Sequence, residues 1–227
     1  GAVPPEVRSL ARHLLLQVQR SRGRLPAAQD QLQRLGFVTR GWLAGPFDNE
    51  GKSGCDTAWA PEQGVDLAAR FPGKVREVGW RRLPDASRDG YVDLGALLTP
   101  DDEAVSYVLS VVEVAADTKA VLRLGVSGAS RLFVNGTRVF ADDTYRPARF
   151  DAAQVGVTLK KGANRLLLKV CHERGPHGFY LRVTGPNGDA LPGAAVGAPD
   201  PLPAQPRGTV AFEALPAPVT AFRKKAE

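Results

Sequence analysis

What this chain lacks narrows it first. Among its 227 residues there is no methionine, and there are only two cysteines and three histidines. Two cysteines are too few for a disulfide scaffold. Cys171 closes an apolar stretch and Cys55 lies in a Gly-rich one, so the sequence reading is two independent thiols, at least one of them buried; a single bridge stays open for an exported protein. Long apolar runs are missing too. None approaches the roughly 20 residues that cross a bilayer, so neither a signal peptide nor a membrane-spanning helix is expected. With no methionine even at position 1, the opening Gly-Ala-Val-Pro-Pro reads as an excision from a longer protein.

The net charge of +6 points away from nucleic acid once it is located. Residues 1–35 carry six arginines against Glu6 and Asp30, whereas residues 36–190 hold 20 basic and 19 acidic side chains. A nucleic-acid binder concentrates its basic residues on the recognition surface. Here the body is near neutral and the excess sits on an N-terminal arm.

What is present is pattern. Val7, Leu10, Ala11, Leu14, Leu15 and Val18 recur at helical spacing, with Pro4-Pro5 suited to the first turn and Ser21-Arg22-Gly23 to the end. A second helix runs from near Pro26 to Gly36, a natural C′ residue. Residues 1–36 are therefore expected to form a helical hairpin with an apolar face, either packed on the β-rich remainder of the chain or ending a helical-repeat array, with an Arg-rich outer face that is solvated or paired with an upstream module rather than membrane-binding.

From Phe37 the period changes to two. Strands are expected at Phe37–Phe47 (ended by Gly45-Pro46), Val75–Leu83, Ala104–Ala115, Lys119–Ser127 and Gly178–Thr184, with Tyr91–Leu98 ambiguous and Asp48–Pro72 a long polar loop. Between Ala129 and Val170 lie two expected hairpins. One turns at Asn135-Gly136, a pair that tolerates the positive φ of a type I′ turn, which also accounts for the sequon Asn135-Gly136-Thr137. The other turns through Lys160–Asn164. Eight or nine short strands with turns every 8–12 residues and no intervening helices imply an all-β antiparallel β-sandwich or jelly roll over residues 37–190. After Ala190, seven prolines in Ala/Gly-rich sequence read as an extended tail (191–227), in which Thr209–Phe212 can add an edge strand and Val219–Glu227 can begin a further element.

The segments LRLGVSGASRLFVNGTRVF and FDAAQVGVTLKKGANRLLLKV resemble the galactose-binding-like jelly roll, above all the sugar-binding domain that precedes the catalytic barrel of family 2 glycoside hydrolases, which shares a "VNG" strand and an "L-K-x-G-x-N" return. The resemblance covers about residues 37–188. It implies a sandwich without the catalytic carboxylates, because those lie in the barrel. Trp42-Leu43 with Gly45–Gly51, then Pro61-Glu62, Asp66-Leu67, Phe71–Lys74 and Trp80-Arg81, is similar to a module of large envelope-associated proteins of myxobacteria and planctomycetes, often beside tetratricopeptide-like or transglutaminase-like domains. This second resemblance implies a periplasmic, envelope-bound or secreted setting.

Chemistry-bearing groups are sparse. Cys171, His172, Glu173 and His177 in CHERGPHG are all zinc-ligating types. Their spacing matches no standard site, Gly175-Pro176 forbids a zincin helix, and a turn with solvated histidines is the reading; were zinc to bind, His172 and His177 would hold it. Asp48, Glu50 and Asp142-Asp143 are the carboxylates available to a structural calcium, but DNEGKSG lacks the register of a calcium loop. Trp42 and Trp80 fall on strands and read as packed. Trp59 and Tyr145 fall on loops, where a pyranose face can stack on an aromatic ring, with Asp56, Glu62, Asp143 and Arg146 as a hydrogen-bonding rim; the competing reading is that both rings pin loops to the sandwich. No nucleophile, base and stabiliser assemble, so the expectation is a non-enzymatic accessory module without a cofactor, contacting neighbouring domains or a protein partner. A carbohydrate-binding module is the alternative.

Overall fold

The computed structural model describes residues 3–84, 87, 89–206 and 208–218. The elements are helices α1 (Pro5–Ser21), α2 (Leu25–Leu35) and α3 (Ala60–Gln63), and strands β1 (Trp42–Asp48), β2 (Arg70–Pro72), β3 (Glu77–Gly79), β4 (Arg81–Arg82), β5 (Val92–Asp93), β6 (Ala104–Val114), β7 (Thr118–Val126), β8 (Ala129–Val134), β9 (Thr137–Asp142), β10 (Ala153–Leu159), β11 (Gly162–Cys171), β12 (Gly178–Thr184), β13 (Ala195–Gly197) and β14 (Phe212–Ala214). The protein is an antiparallel β-sandwich with helices at its N-terminus. One sheet runs β4-β1-β6-β11-β8-β9, with β13 beside β6; the other runs β14-β10-β7-β12-β5.

Alternation builds the core. Leu166, Leu168 and Val170 of β11 face Leu122, Leu124 and Val126 of β7 and Phe179, Leu181 and Val183 of β12 across the sandwich. Their neighbours Leu167 and Cys171 face outward yet are also buried, with Trp42, Phe47, Trp80, Tyr107 and Leu109. Both outer faces are covered, so the molecule has four layers: the helices on the smaller sheet, then the two sheets, then the 48–80 segment on the larger one. The expected polar loop Asp48–Pro72 is that fourth layer. It contains a short 3₁₀ stretch (Glu50–Cys55), α3 and β2, and it delivers Phe71 and Cys55 into the outer apolar cluster.

The two hairpins expected between Ala129 and Val170 have different outcomes. Asn135 and Gly136 take φ of 50° and 82°, and β8 pairs with β9 as the Asn-Gly signal implies. The second expected hairpin is not one. β10 pairs with β7 in one sheet and β11 with β6 and β8 in the other, so Lys160–Asn164 is a corner between sheets. Asn164 makes that corner. Its fully buried amide donates to the carbonyls of Lys160 (2.7 Å) and Gly162 (3.1 Å), and its Oδ1 accepts from the Lys160 amide (2.9 Å) and from Asn135 Nδ2 (2.9 Å). Asn135 Oδ1 in turn accepts from the Arg165 amide. The two motifs that carry the jelly-roll resemblance thus interlock through one buried amide pair.

Other expectations shift. The first strand begins at Trp42, because Phe37 and Val38 pair with β12 before the chain crosses to the larger sheet, and it continues through Gly45-Pro46 by a register shift where β1 has lost β4 as a neighbour. Val75–Leu83 is two short strands broken at the buried Trp80. The tail is not a free linker up to Pro218: β13 lies beside β6, β14 pairs with β10, and Leu191 and Val210 are buried. Val219–Glu227 lie outside the described residues.

The cysteines require a correction. Cys55 and Cys171 are bonded to each other across 116 residues, stapling the outer layer to the end of β11. Sequence spacing carries no sign of it, because the loop that brings Cys55 there has no periodicity.

The helical hairpin also turns over. Of the six apolar positions that spacing assigns to the interior, Val7 and Leu10 are half-buried, Ala11 is exposed, and Leu14, Leu15 and Val18 are 52%, 41% and 42% exposed, while Ser9, His13 and Leu16 point inward. Polar anchoring decides the roll of the helix. Arg182, fully buried on the outer face of β12, donates to Leu35 O (2.7 Å), Gly188 O (2.5 Å) and the Asp151 carboxylate, and reaches Ser9 Oγ at 3.4 Å. Ser9 Oγ itself donates to Gly188 O, and His13 stacks on Phe150. A helix turned to bury its leucines against this face would give up the Ser9–Gly188 hydrogen bond and the His13–Phe150 stack, and would set apolar side chains beside the buried guanidinium.

Candidate functional site

One end of the sandwich collects most of the chemistry-bearing side chains. The segments after β1, before β6, after β7, after β9 and between β11 and β12 meet there through backbone bonds: Asn49 N donates to Glu103 O, Glu103 N to Glu173 O, Gly128 N to Arg146 O, and Ala104 and His172 exchange a pair. Asn49, 1% exposed, ties three of them with its side chain, donating to His172 O (2.8 Å) and Tyr145 Oη (3.3 Å). Between them is a cavity of about 130 Å³ lined by Ser127, Gly128, Tyr145, Arg146, His172 and Glu173.

His172 and His177 are not solvated. They are 2% and 1% exposed and stack face to face, ring centroids 4.2 Å apart. The turn between them, Glu173–Pro176, is outside; the histidines are the last and first residues held by the sheets. His172 pairs with Ala104, and His177 O accepts from Leu94 and Gly95. His177 Nε2 lies 3.5 Å from Ser106 Oγ, whereas His177 Nδ1 and His172 Nε2 are buried without a hydrogen-bond partner. Burial lowers both imidazoles below the usual histidine range, His177 to about 3, where the nearby His172 adds to the effect; the Asp101 charge pulls His172 partly back up. Both rings are therefore neutral at pH 7, each with a lone pair. Asp101 closes the group: one ligand atom from each of Asp101, His172 and His177 lies within 4.8 Å of the others. Asp101 was not legible, being 71 residues from His172 with no shared motif.

The expected sugar platform is dispersed. Trp59 and Tyr145 both pack against the outer apolar cluster. Trp59 Nε1 donates to Gly54 O (3.0 Å), the Tyr145 hydroxyl accepts from Asn49, and Lys52 lies 4.5 Å above the Tyr145 ring. Both rings pin the outer layer. Glu62 does not reach a rim: it accepts from Lys169 Nζ (2.9 Å) and Tyr107 Oη beneath the layer. Lys169, 1% exposed, also donates to Cys55 O and Thr57 O. Burial lowers the Lys169 ammonium's pKa against the pull of Glu62, and burial together with Glu62 pushes the Tyr107 phenol far up. Asp56 and Asp143 are brought together by one buried guanidinium, Arg131 Nη2, at 3.1 and 2.5 Å, and Arg146 pairs with Asp142.

The carboxylates expected of a calcium loop do not converge. Asp48 pairs with Lys74 at 3.3 Å and caps the Glu50 amide, while Asp142 and Asp143 are held by arginines. Asp48, Asp142 and Asp143 are each paired with a cation, the opposite of what a hard divalent ion needs. Of the residues singled out from sequence, Tyr145, Arg146, His172 and Glu173 share the cavity, and His177 stacks on His172.

Among the described residues, no helix is long and apolar enough to cross a membrane. No protein-family model matches the chain, and no curated protein matches it. Solved structures similar to it include a β-glucosidase from Kluyveromyces marxianus in complex with glucose (14% identity, TM-score 0.37, covering 47% of this chain and 14% of that one). Others are the GH31 α-xylosidase from Xanthomonas citri (15%, 0.38, 78% and 18%) and an anti-sigma factor domain-containing protein from Clostridium clariflavum (14%, 0.31, 66% and 43%). This chain spans less than a fifth of the length of either glycosidase, and likenesses this slight identify no activity.

Proposed function

We propose that the chain is a non-catalytic accessory module that makes protein–protein or interdomain contacts through α1. One observation carries this reading: α1 is held to the sandwich by its polar face and presents Ala11, Leu14, Leu15 and Val18 outward. These positions, spaced i, i+3, i+4 and i+7, form one continuous stripe. Isolated exposed leucines are ordinary on a soluble protein, but an aligned stripe on a helix with a rigid inner face fits an adjoining apolar surface such as another helical hairpin. The Cys55–Cys171 bridge supports an envelope, periplasmic or secreted setting, because disulfides persist in oxidising compartments.

The test is Leu15→Cys labelling by a soluble maleimide, compared between this chain alone and the full product of its gene. Rapid labelling alone and protection in the full gene product supports the reading; equal rates overturn it. A glycan-binding role rests on the cavity beside Tyr145 and Arg146, whose volume falls well short of the about 300–1,000 Å³ of ordinary ligand pockets. Glycan-array binding lost in Tyr145→Ala would favour that role instead.

A further inference from the structure

We propose that Asp101, His172 and His177 form a zinc site that clasps the two sheets together at the loop end of the sandwich. The three residues come from separate segments: Asp101 from the turn before β6, His172 from the end of β11, and His177 from the start of β12. His172 is held by the larger sheet through Ala104, and the His177 carbonyl is held by Leu94 and Gly95 just after β5 of the smaller one. An ion bound to all three therefore bridges the layers.

The donor set fits. Two imidazoles and a carboxylate are ligands zinc takes readily, whereas calcium and magnesium prefer oxygen throughout. Buried polar atoms almost always have partners, and an exception calls for a water, an ion or another cause. Here two nitrogens that make no well-formed hydrogen bond sit together, His172 Nε2 and His177 Nδ1, on side chains at least nine-tenths buried, with the Asp101 carbonyl close to the His177 ring. The remaining nitrogen of His177 faces Ser106 Oγ, the outer-sphere contact that ligating histidines commonly make. Tetrahedral zinc with bonds of about 2.0–2.1 Å places its ligand atoms about 3.3 Å apart. The three atoms already lie within 4.8 Å of one another, but the rings are stacked at 11°, so one imidazole must swing out of the stack and Asp101 turn inward for all three to meet one ion. Asp101 is only partly buried and has that freedom. His172 also lines the cavity shared with Tyr145 and Gly128, which gives a water room to supply the fourth ligand.

The experiment uses the untagged chain with its disulfide intact, stripped of metal by chelation, and titrated with zinc in a calorimeter. Thermal unfolding is followed with zinc or calcium at about 0.1 mM, and cobalt is used as a visible reporter of tetrahedral ligation. One zinc per chain is expected, with a rise in melting temperature that grows with free zinc as linkage requires, and no effect of calcium. Asp101→Asn and His177→Gln are each expected to weaken zinc binding by about tenfold or more. Asp101→Asn should melt like the wild type without metal, so it decides the matter even if His177→Gln folds poorly. No zinc binding at about 0.1 mM, meaning that water alone satisfies the imidazoles, would overturn the proposal. So would zinc binding that survives Asp101→Asn unchanged.

Discussion

Replacing Arg182 with methionine tests how the helical hairpin is held. The side chain has no exposed surface, and its guanidinium donates to Asp151, Leu35 O and Gly188 O. Methionine fills much of the volume but strands Asp151, itself 2% exposed, removes the donor to Leu35 O, and leaves Gly188 O with Ser9 Oγ alone. Breaking a buried pair from one side costs about 3–5 kcal/mol, a large share of the about 5–15 kcal/mol that holds a domain of this kind together. The penalty should depend on pH, with a definite sign. Burial raises the Asp151 pKa, and Arg182 is the foremost group opposing that rise, ahead of Arg123. Without Arg182 the pKa climbs further. A carboxyl whose folded pKa lies above its unfolded value contributes stability below the unfolded pKa and loses it as pH rises through the folded one. Arg182→Met should therefore be most destabilised near neutrality and partly recover toward about pH 4.5. Guanidinium unfolding followed by tryptophan fluorescence measures both, and hydrogen exchange should show α1 losing protection before the sandwich does. A penalty under about 1 kcal/mol, or one equal at both pH values, would refute the anchoring argument.

Three further outcomes are expected from the packing. Cys55→Ala with Cys171→Ala should lower stability by about 2–5 kcal/mol, since the bridge closes a loop of over a hundred residues, and should open Glu50–Gln63 to limited proteolysis. Asn164→Ala should cost about 3 kcal/mol in chemical denaturation, because it orphans buried groups of Lys160, Gly162 and Asn135 at the sheet corner. Lys169→Met should cost about 3–5 kcal/mol, while Lys169→Met with Glu62→Leu should recover much of it, giving a positive coupling in a double-mutant cycle; an additive result would mean the pair is not coupled.

The sandwich was legible because its inner face obeys a two-residue period, plain in Leu122-Leu124-Val126 of β7 and Phe179-Leu181-Val183 of β12. The Asn135-Gly136 turn was legible because its backbone demands those residue types. What escaped was the partner of each element. Lys160–Asn164 has the composition of a hairpin turn, yet both of its flanking strands find better neighbours elsewhere, and no local signal distinguishes a corner from a hairpin. The histidines failed for a similar reason. The tripeptide Arg174-Gly175-Pro176 does mark a turn, but exposure of a turn says nothing about the residues two positions before it or directly after it. Asp101, Ser106 and Asn49 join the site only through the packing of five segments.

The charged residues within the strands account for the rest. Arg123, Arg131, Lys169 and Arg182 fall at the positions where a half-exposed strand would place its solvent side. All four are buried because further layers lie over them: Lys169 and Arg131 hold the 48–80 segment and the loop after β9, and Arg182 and Arg123 face the helices. A buried cation with several directed hydrogen bonds adds little net stability over an apolar replacement of the same shape, but it strongly penalises any docking that leaves it unpaired. Such anchors fix the position and roll of each attached layer. They also explain why α1 shows its leucines to solvent: the polar face was already committed to Arg182, Gly188 and Phe150. An apolar stripe left outside by a constraint of that strength is a stable feature of the folded surface, available to a partner without any rearrangement of the sandwich.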